Sequence, residues 1–588
     1  FDYVGAPDAK KVIVIMGAGG ETTEETVNYL NNGGEKVGVL RVRLYRPFAR
    51  DAFMNALPAS VKKIAVLDRT KEPGSLGEPL YEDVRTAIGE AMYEGTARFS
   101  DYPTVVGGRY GLGSAEFTPA MVKGVFDELS ADKPKNHFSV GINDDITGNS
   151  IVYDPSFSVE GEKTYRAMFY GLGSDGTVGA NKNSIKIIGS ETDNYAQGYF
   201  VYDSKKAGAM TVSHLRFGPE PIRAPYLISH ANFLACHNFT FLEKYDMLKY
   251  VEDGGIFLLT SPYGKDEVWD KLPGRVQKQI IDKKLKFYVI DAISIAEQLG
   301  LGARINMIMQ TAFFRISSIL DQIQAVNAIK NAIKKTYGKK GEKVVQMNND
   351  AVDKALEHIE EVDIPSEPTN PIEPIVPVSG EAPEFVKEVT SKLMKQEGDS
   401  VKVSEMPEDG TWMTGTTKYE KRNVAVHIPV WDPDACIQCG RCSLICPHAS
   451  IRPKAYEEKH LKDAPEGFRS TDAKGKDLKG LKYTLQVAPE DCTGCGTCVE
   501  NCPAKAKGAI TMKLQAPLRE QDGEHKGMLA VITDITERKR AMAALEAERA
   551  RFKWIVEQSR DGYVMLDAAG HVRYANPQAC LYLGRHPD

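Results

Sequence analysis

Eight of the ten cysteines stand in two runs: Cys436-Ile-Gln-Cys439-Gly-Arg-Cys442-Ser-Leu-Ile-Cys446-Pro447 and Cys492-Thr-Gly-Cys495-Gly-Thr-Cys498-Val-Glu-Asn-Cys502-Pro503. Both read C-x2-C-x2-C-x3-C-P, the spacing that holds a [4Fe–4S] cluster of the bacterial ferredoxin kind. Each iron needs a thiolate, and three thiolates at this spacing can wrap one side of the cube. The fourth must approach from the far side, so it comes from the other run. Cys436, Cys439, Cys442 and Cys502 are therefore assigned to one cluster, and Cys446, Cys492, Cys495 and Cys498 to the other. The proline after each fourth cysteine ends the local turn. Gly440, Gly494 and Gly496 let the backbone come close to sulfur. Zinc or disulfides are the competing readings for C-x2-C pairs. Two complete runs, each closed by Cys-Pro, favour iron–sulfur and one-electron transfer. The leftover Cys236 and Cys580 read as buried, inert thiols.

The chain of 588 residues has room for several domains. Its net charge of −6 gives no reason to expect nucleic-acid binding. It lacks the run of about 18 apolar residues that a membrane span needs, and no signal peptide is visible. Cysteine usage fits a reducing cytoplasm. Phe1 in place of Met suggests a fragment or a processed piece.

Elements must position these cysteines. Lys11–Met16 is a β-branched run expected as a buried strand, with Gly17-Ala-Gly19-Gly20 as a turn. Thr22 or Thr23 is expected to cap the next helix. Strands at 36–42 and 63–67 continue an α/β alternation. A dinucleotide site is weak here, because Thr22 stands where G-x-G-x-x-G wants its third glycine.

A second α/β region starts with a strand at 165–170. It runs into Gly171-Leu-Gly173-Ser174-Asp175-Gly176-Thr177-Val178-Gly179, which does satisfy G-x-G-x-x-G before a helix. Such a loop can face backbone N–H groups to a phosphate. Nicotinamide binding and a ligand-free glycine turn both stay open on this evidence. Further strands are expected at 186–189, 199–202, 256–259 and 287–290, and helix over much of 291–337. A proline-rich stretch at 364–377 reads as an extended linker. The charged insertion near 454–479, between the cysteine runs, reads as a solvated loop.

Taken together these segments resemble pyruvate:ferredoxin (flavodoxin) oxidoreductase over about 1–513. The residues that carry the resemblance are Leu44–Phe48, Leu67–Leu80, Gly141–Asp145, Gly171–Lys182, Gly198–Lys206 and Ser213–Pro219. The family decarboxylates pyruvate on thiamine diphosphate, passes electrons through three [4Fe–4S] clusters to ferredoxin or flavodoxin, and gives the acetyl group to coenzyme A.

The resemblance implies a multidomain α/β chain. Residues 1–8 would be the tail of a missing N-terminal domain and 9–160 a transketolase C-terminal-like domain. Residues 161–365 would be an α/β coenzyme A-binding (oxidoreductase gamma-like) domain, 366–420 a linker, and 421–513 a 2[4Fe–4S] ferredoxin-like α+β domain. On this reading the glycine loop serves coenzyme A, through Ser174, Asp175, Gly176, Thr177 and Val178, with Lys206, Asn306 and Asn348 adding contacts. His214 and Arg216 lie in a family-like stretch, but a core hydrogen bond or internal salt bridge is the expected role. Thiamine diphosphate, Mg²⁺ and the third cluster would sit in domains this chain lacks, so alone it is expected not to decarboxylate pyruvate. A homodimer in the cytoplasm is the family expectation, and another 2-oxoacid in place of pyruvate stays open.

After about Met512 the resemblance ends. Gly527–Lys539 resembles the end of a PAS sensor domain, and Ala541–Phe552 suits a signalling helix. Ile555–Asp567 and Tyr574–Pro577 resemble the start of a second, truncated PAS domain. Residues 514–588 are expected to be an incomplete or artificial appendage, with a redox sensor fusion as the competing reading.

Overall fold

The computed structural model describes residues 1–203, 208–302, 304–462, 464, 468–515, 518, 564–566 and 572–582. Contacts divide the chain into two units, Phe1–Val426 with Glu490–Gly496, and His427–Pro489 with Thr497–Asp588.

Unit one contains two sheets. The first is built from β1 (Asp2–Gly5), β2 (Lys11–Met16), β3 (Val37–Val42), β4 (Lys63–Asp68), β5 (Thr104–Arg109) and β6 (Phe138–Ser139), in the order β1-β3-β2-β4-β5-β6. All pairs are parallel except β1 with β3. Helices α1 (Gly19–Asn32), α2 (Arg50–Ala56), α3 (Pro79–Tyr93) and α4 (Pro119–Glu128) intervene. Separate apolar cores form around the sheet, which is why its strands read as continuous β-branched runs.

The expected Thr22 or Thr23 cap is not found. Helix α1 starts at Gly19 with Ala18 in the cap position. Thr23 is buried and its hydroxyl donates back to Gly19 O at 2.8 Å. A buried hydroxyl inside a helix can be satisfied this way.

The second sheet has the order β13-β12-β11-β10-β7-β9-β8. Its strands are β7 (Tyr165–Leu172), β8 (Tyr195–Tyr202), β9 (Met210–Gly218), β10 (Ala231–Cys236), β11 (Val251–Thr260), β12 (Lys286–Ile290) and β13 (Glu360–Glu361). β7, β10, β11 and β12 are mutually parallel, whereas β9 runs antiparallel to β7. Around it lie α5 (Thr177–Glu191), α6 (Val268–Lys271), α7 (Gly274–Asp282), α8 (Ala292–Gln298), α9 (Asn306–Ser317), α10 (Gln322–Tyr337) and α11 (Glu342–His358). The strand expected at 186–189 is instead the interior of α5, with Ile187 and Ile188 buried. So short a stretch, with two adjacent isoleucines, fits either period, and only packing separates them.

Residues 364–377 carry no helix or strand. Beyond them Val378, Ala382 and Val386 form a small core, next to α12 (Ser391–Met394).

Unit two pairs β14 (His427–Trp431) with β18 (Ile510–Leu514), antiparallel. Short helices α13 (Arg441–Ile445) and α14 (Thr497–Glu500) each carry the third cysteine of a run, Cys442 and Cys498. The insertion expected as a loop is partly sheet. β15 (Ile451–Tyr456) and β16 (Thr471–Asp472) both pair antiparallel with β17 (Lys482–Val487). Charge does not exclude edge strands, whose backbone pairs while lysines face water. The expected segments at 527–539 and 541–552 lie outside the described residues. Val564–Leu566 pairs with Val572–Ala575, ahead of a helix at Pro577–Tyr582 whose first turn Asn576 caps.

Candidate iron–sulfur centre and glycine-rich loop

Cys436, Cys439, Cys442 and Cys502 line one pocket in unit two, closed by Trp431, Tyr483 and Ile510. The first three come from the first run and the fourth from the second. Gln438 and Gly440 on either side of Cys439 have φ +57° and +69°. Those two left-handed residues wrap the run so that successive sulfurs face one space. The Gln438 N–H donates to Cys436 Sγ at 3.3 Å, and the Ser450 N–H to Cys446 Sγ at 3.3 Å.

Burial, joined by the neighbouring Cys436, Cys439 and Cys502, pushes the Cys442 thiol up to about 11. Four thiolates in an apolar pocket are therefore costly without cations between them, and ferric and ferrous iron supply that charge.

Cys442, Cys492 and Cys498 are buried, whereas Cys439 and Cys495 are exposed. Gly494 and Gly496, at φ +70° and +69°, repeat the wrapping of the first run. The Gly494 N–H donates to Cys492 Sγ at 3.4 Å.

The glycine-rich loop lies at the carboxyl end of β7, where one neighbour is parallel (β10) and the other antiparallel (β9). Such a switch in direction leaves a crevice in open α/β sheets. Ser174 is exposed at φ +79°, and Gly176 has φ +90°. A Cβ on Gly176 would stand 2.8 Å from Asn306 Cγ. Asn306, the first residue of α9, is thus packed on the loop.

Asp175 and Thr177 are buried and tied to each other. The Asp175 carboxylate accepts from Leu172 N–H at 2.9 Å, Thr177 N–H at 2.7 Å and Thr177 Oγ1 at 2.7 Å. Burial still holds Asp175 above the usual carboxylate range. Thr177 Oγ1 also meets His237 Nδ1 at 2.7 Å. His237 follows the end of β10, and burial pushes its pKa down to about 3. Sequence reasoning passed over His237. A histidine just past an apolar strand at a switch point was the available signal.

Asn348 is buried within α11 and donates to Val344 O of its own helix at 2.7 Å. Lys206 lies outside the described residues. His214 is buried, with Nδ1 accepting from Ile228 N–H at 3.2 Å. Arg216 is 1% exposed and binds Glu160 Oε1 at 2.6 Å. Both are core groups, as expected. Cys236 is buried and donates to Asn238 O at 3.1 Å, and Cys580 is also buried.

Family models match in series along the chain. Pyruvate ferredoxin/flavodoxin oxidoreductase matches 166–358, and pyruvate:ferredoxin oxidoreductase core domain II matches 9–110. A 4Fe–4S dicluster domain matches 435–506, a domain of unknown function 372–425, and a PAS domain 550–588. A putative pyruvate-flavodoxin oxidoreductase of Synechocystis is 58% identical over 89% of this chain and 44% of its own length. The pyruvate:ferredoxin oxidoreductase of Moorella thermoacetica is 54% identical, covering 88% and 43%. A probable pyruvate-flavodoxin oxidoreductase of Escherichia coli is 52% identical, covering 86% and 43%. The chain thus spans less than half the length of these curated relatives. Over the residues they match, it belongs to the pyruvate:ferredoxin (flavodoxin) oxidoreductase family as a partial chain.

Proposed function

We propose that this chain supplies the electron-relay and coenzyme A-binding parts of a pyruvate:ferredoxin (flavodoxin) oxidoreductase. The observation that carries the reading is the pocket lined by Cys436, Cys439, Cys442 and Cys502. Those four thiolates would hold one [4Fe–4S] cluster, and Cys446, Cys492, Cys495 and Cys498 the second. When bound, each cluster takes up and releases one electron at a time. The chain's own part is to supply thiolates, to donate N–H groups to sulfur, and to cover the site with Trp431 and Tyr483.

Coenzyme A is assigned to the crevice after β7. Its phosphates would meet N–H groups of Ser174, Gly176 and Val178 at the start of α5. Asp175 and Thr177 then act as the frame that shapes the loop, since their side chains already satisfy each other. Asn306 would add a polar contact from α9. Lys206 and Asn348 stay assigned to this ligand only through the family resemblance.

The domain reading follows: a transketolase C-terminal-like domain over 9–160, a coenzyme A-binding domain over 161–365 and a ferredoxin-like domain over 421–513. Ferredoxin or flavodoxin would take the electrons, and a homodimer in the cytoplasm is the family's arrangement. No residue here is assigned to thiamine diphosphate, Mg²⁺ or a third cluster. A redox sensor is the second reading, and the PAS match at 550–588 favours it.

The test is iron and acid-labile sulfide content under anaerobic conditions, with EPR of the dithionite-reduced protein. About eight irons per chain with interacting signals are expected for two adjacent four-iron clusters. Zinc, or no metal after reconstitution, would remove the relay reading.

A further inference from the structure

The two cysteine runs align residue for residue, and they differ at a position where the backbone makes the difference costly. Between the first and second cysteines the last residue is Gln438 in one run and Gly494 in the other. Both take a left-handed φ, and both turn their N–H to the sulfur of the run's first cysteine. Glycine adopts this conformation freely, whereas a residue with a Cβ loses about 1 kcal/mol. The first run therefore accepts strain in exchange for a side chain.

That side chain clasps the insertion. Gln438 Nε2 donates to Asp472 O at 2.8 Å, and Gln438 Oε1 accepts from Lys474 N–H at 2.8 Å. The paired bonds dock residues 472–474 on the run. They bring Lys474 Nζ to 2.6 Å from the carbonyl oxygen of Cys436, itself one of the four pocket cysteines. The neighbouring Asp472 carboxylate is taken by Lys482 at 2.8 Å. Lys474 thus holds its positive charge against the backbone of a cluster ligand.

We propose that the Gln438–Lys474 clasp raises the reduction potential of the first cluster relative to the second. The inference rests on the iron–sulfur reading above. Reduction adds one electron to the cluster and makes or breaks no bond. A cation fixed nearby stabilises the extra negative charge. Because Lys474 is exposed, salt weakens the effect. Gln438 is the positioning residue and Lys474 the charge it positions.

The experiment is potentiometric titration followed by EPR on the full 588-residue chain, at low and high salt, with iron counted in each sample. K474Q is expected to lower one midpoint potential and leave the other unchanged, with the difference narrowing at high salt. K474R should restore the parent value. Q438G keeps the left-handed backbone and the N–H to sulfur, so it should retain full iron and lower the same midpoint by less. Where K474Q loads incompletely, Q438G carries the comparison. Unchanged midpoints in a fully loaded variant would overturn the proposal, as would both midpoints falling equally. A parent chain without four-iron clusters would sink the underlying reading as well, whereas clusters with unmoved potentials would sink this inference alone.

Discussion

The cysteine module and the glycine-rich loop are both built on left-handed turns, yet they use their side chains in opposite ways. In the module the motif side chains are the proposed ligands, and Cys436, Cys439, Cys442 and Cys502 line one pocket. In the loop, the buried Asp175 and Thr177 bond to each other and to His237. Among the described residues, backbone N–H groups, the exposed Ser174 hydroxyl and Asn306 are left for a phosphate there. A motif whose side chains bind the ligand shows its chemistry directly. A motif whose side chains shape a backbone shows only that a turn is needed.

The contrast can be broken most severely at the cysteines. Cys439→Ser should cost one cluster, about half the iron, and spare most of the other; retention of all iron would contradict the assignment. The loop should respond differently, through stability and affinity together. Thr177→Val removes the hydroxyl between Asp175 and His237, leaving buried polar groups short of a partner. A loss of about 1–3 kcal/mol is expected by denaturant unfolding. Coenzyme A should raise the melting temperature of the parent by linkage and of this variant less. If NADH shifts the melt and coenzyme A does not, the nicotinamide reading returns.

Acid separates the regions further. His237 and His214 are both held near 3, below the unfolded value of about 6.5. The unfolded chain therefore binds protons that the folded chain refuses, and stability falls as pH drops below about 6.5. Each histidine should withdraw about 2 kcal/mol by pH 5. A melt series from pH 7.5 to 5 checks this, and His237→Gln should flatten it. The smallest effect is at the paired positions of the cysteine runs. Gly494→Gln should cost about 1 kcal/mol through its left-handed φ, whereas Gln438→Gly relieves that strain but releases the clasp. Equal and opposite stability changes would mean the clasp itself adds nothing.

Much of this was legible from residue types. The cluster crossover follows from thiolate number and the reach of a short run, so the pocket adds geometry to an assignment already made. The strand at 11–16 shows in a β-branched run, and the one expected at 165–170 is realised within a buried strand, Tyr165–Leu172, that has no β-branched residue. Short apolar or charged stretches were not legible. Lys186–Gly189 became helix because Ile187 and Ile188 face a core made by distant strands and helices. Residues 451–456 and 471–472 became strands because β17 offered unpaired backbone groups.

The sequence by itself determined which thiols are assigned to iron and that a glycine-rich turn follows β7, since spacing and glycine content are local properties. Tertiary structure alone decided that Thr177 is held between Asp175 and His237, because His237 arrives from a strand some sixty positions away. It also decided that Lys474, one lysine among many in a charged insertion, lies against Cys436. Such pairings depend on where separate elements meet, and no local pattern along the chain encodes that.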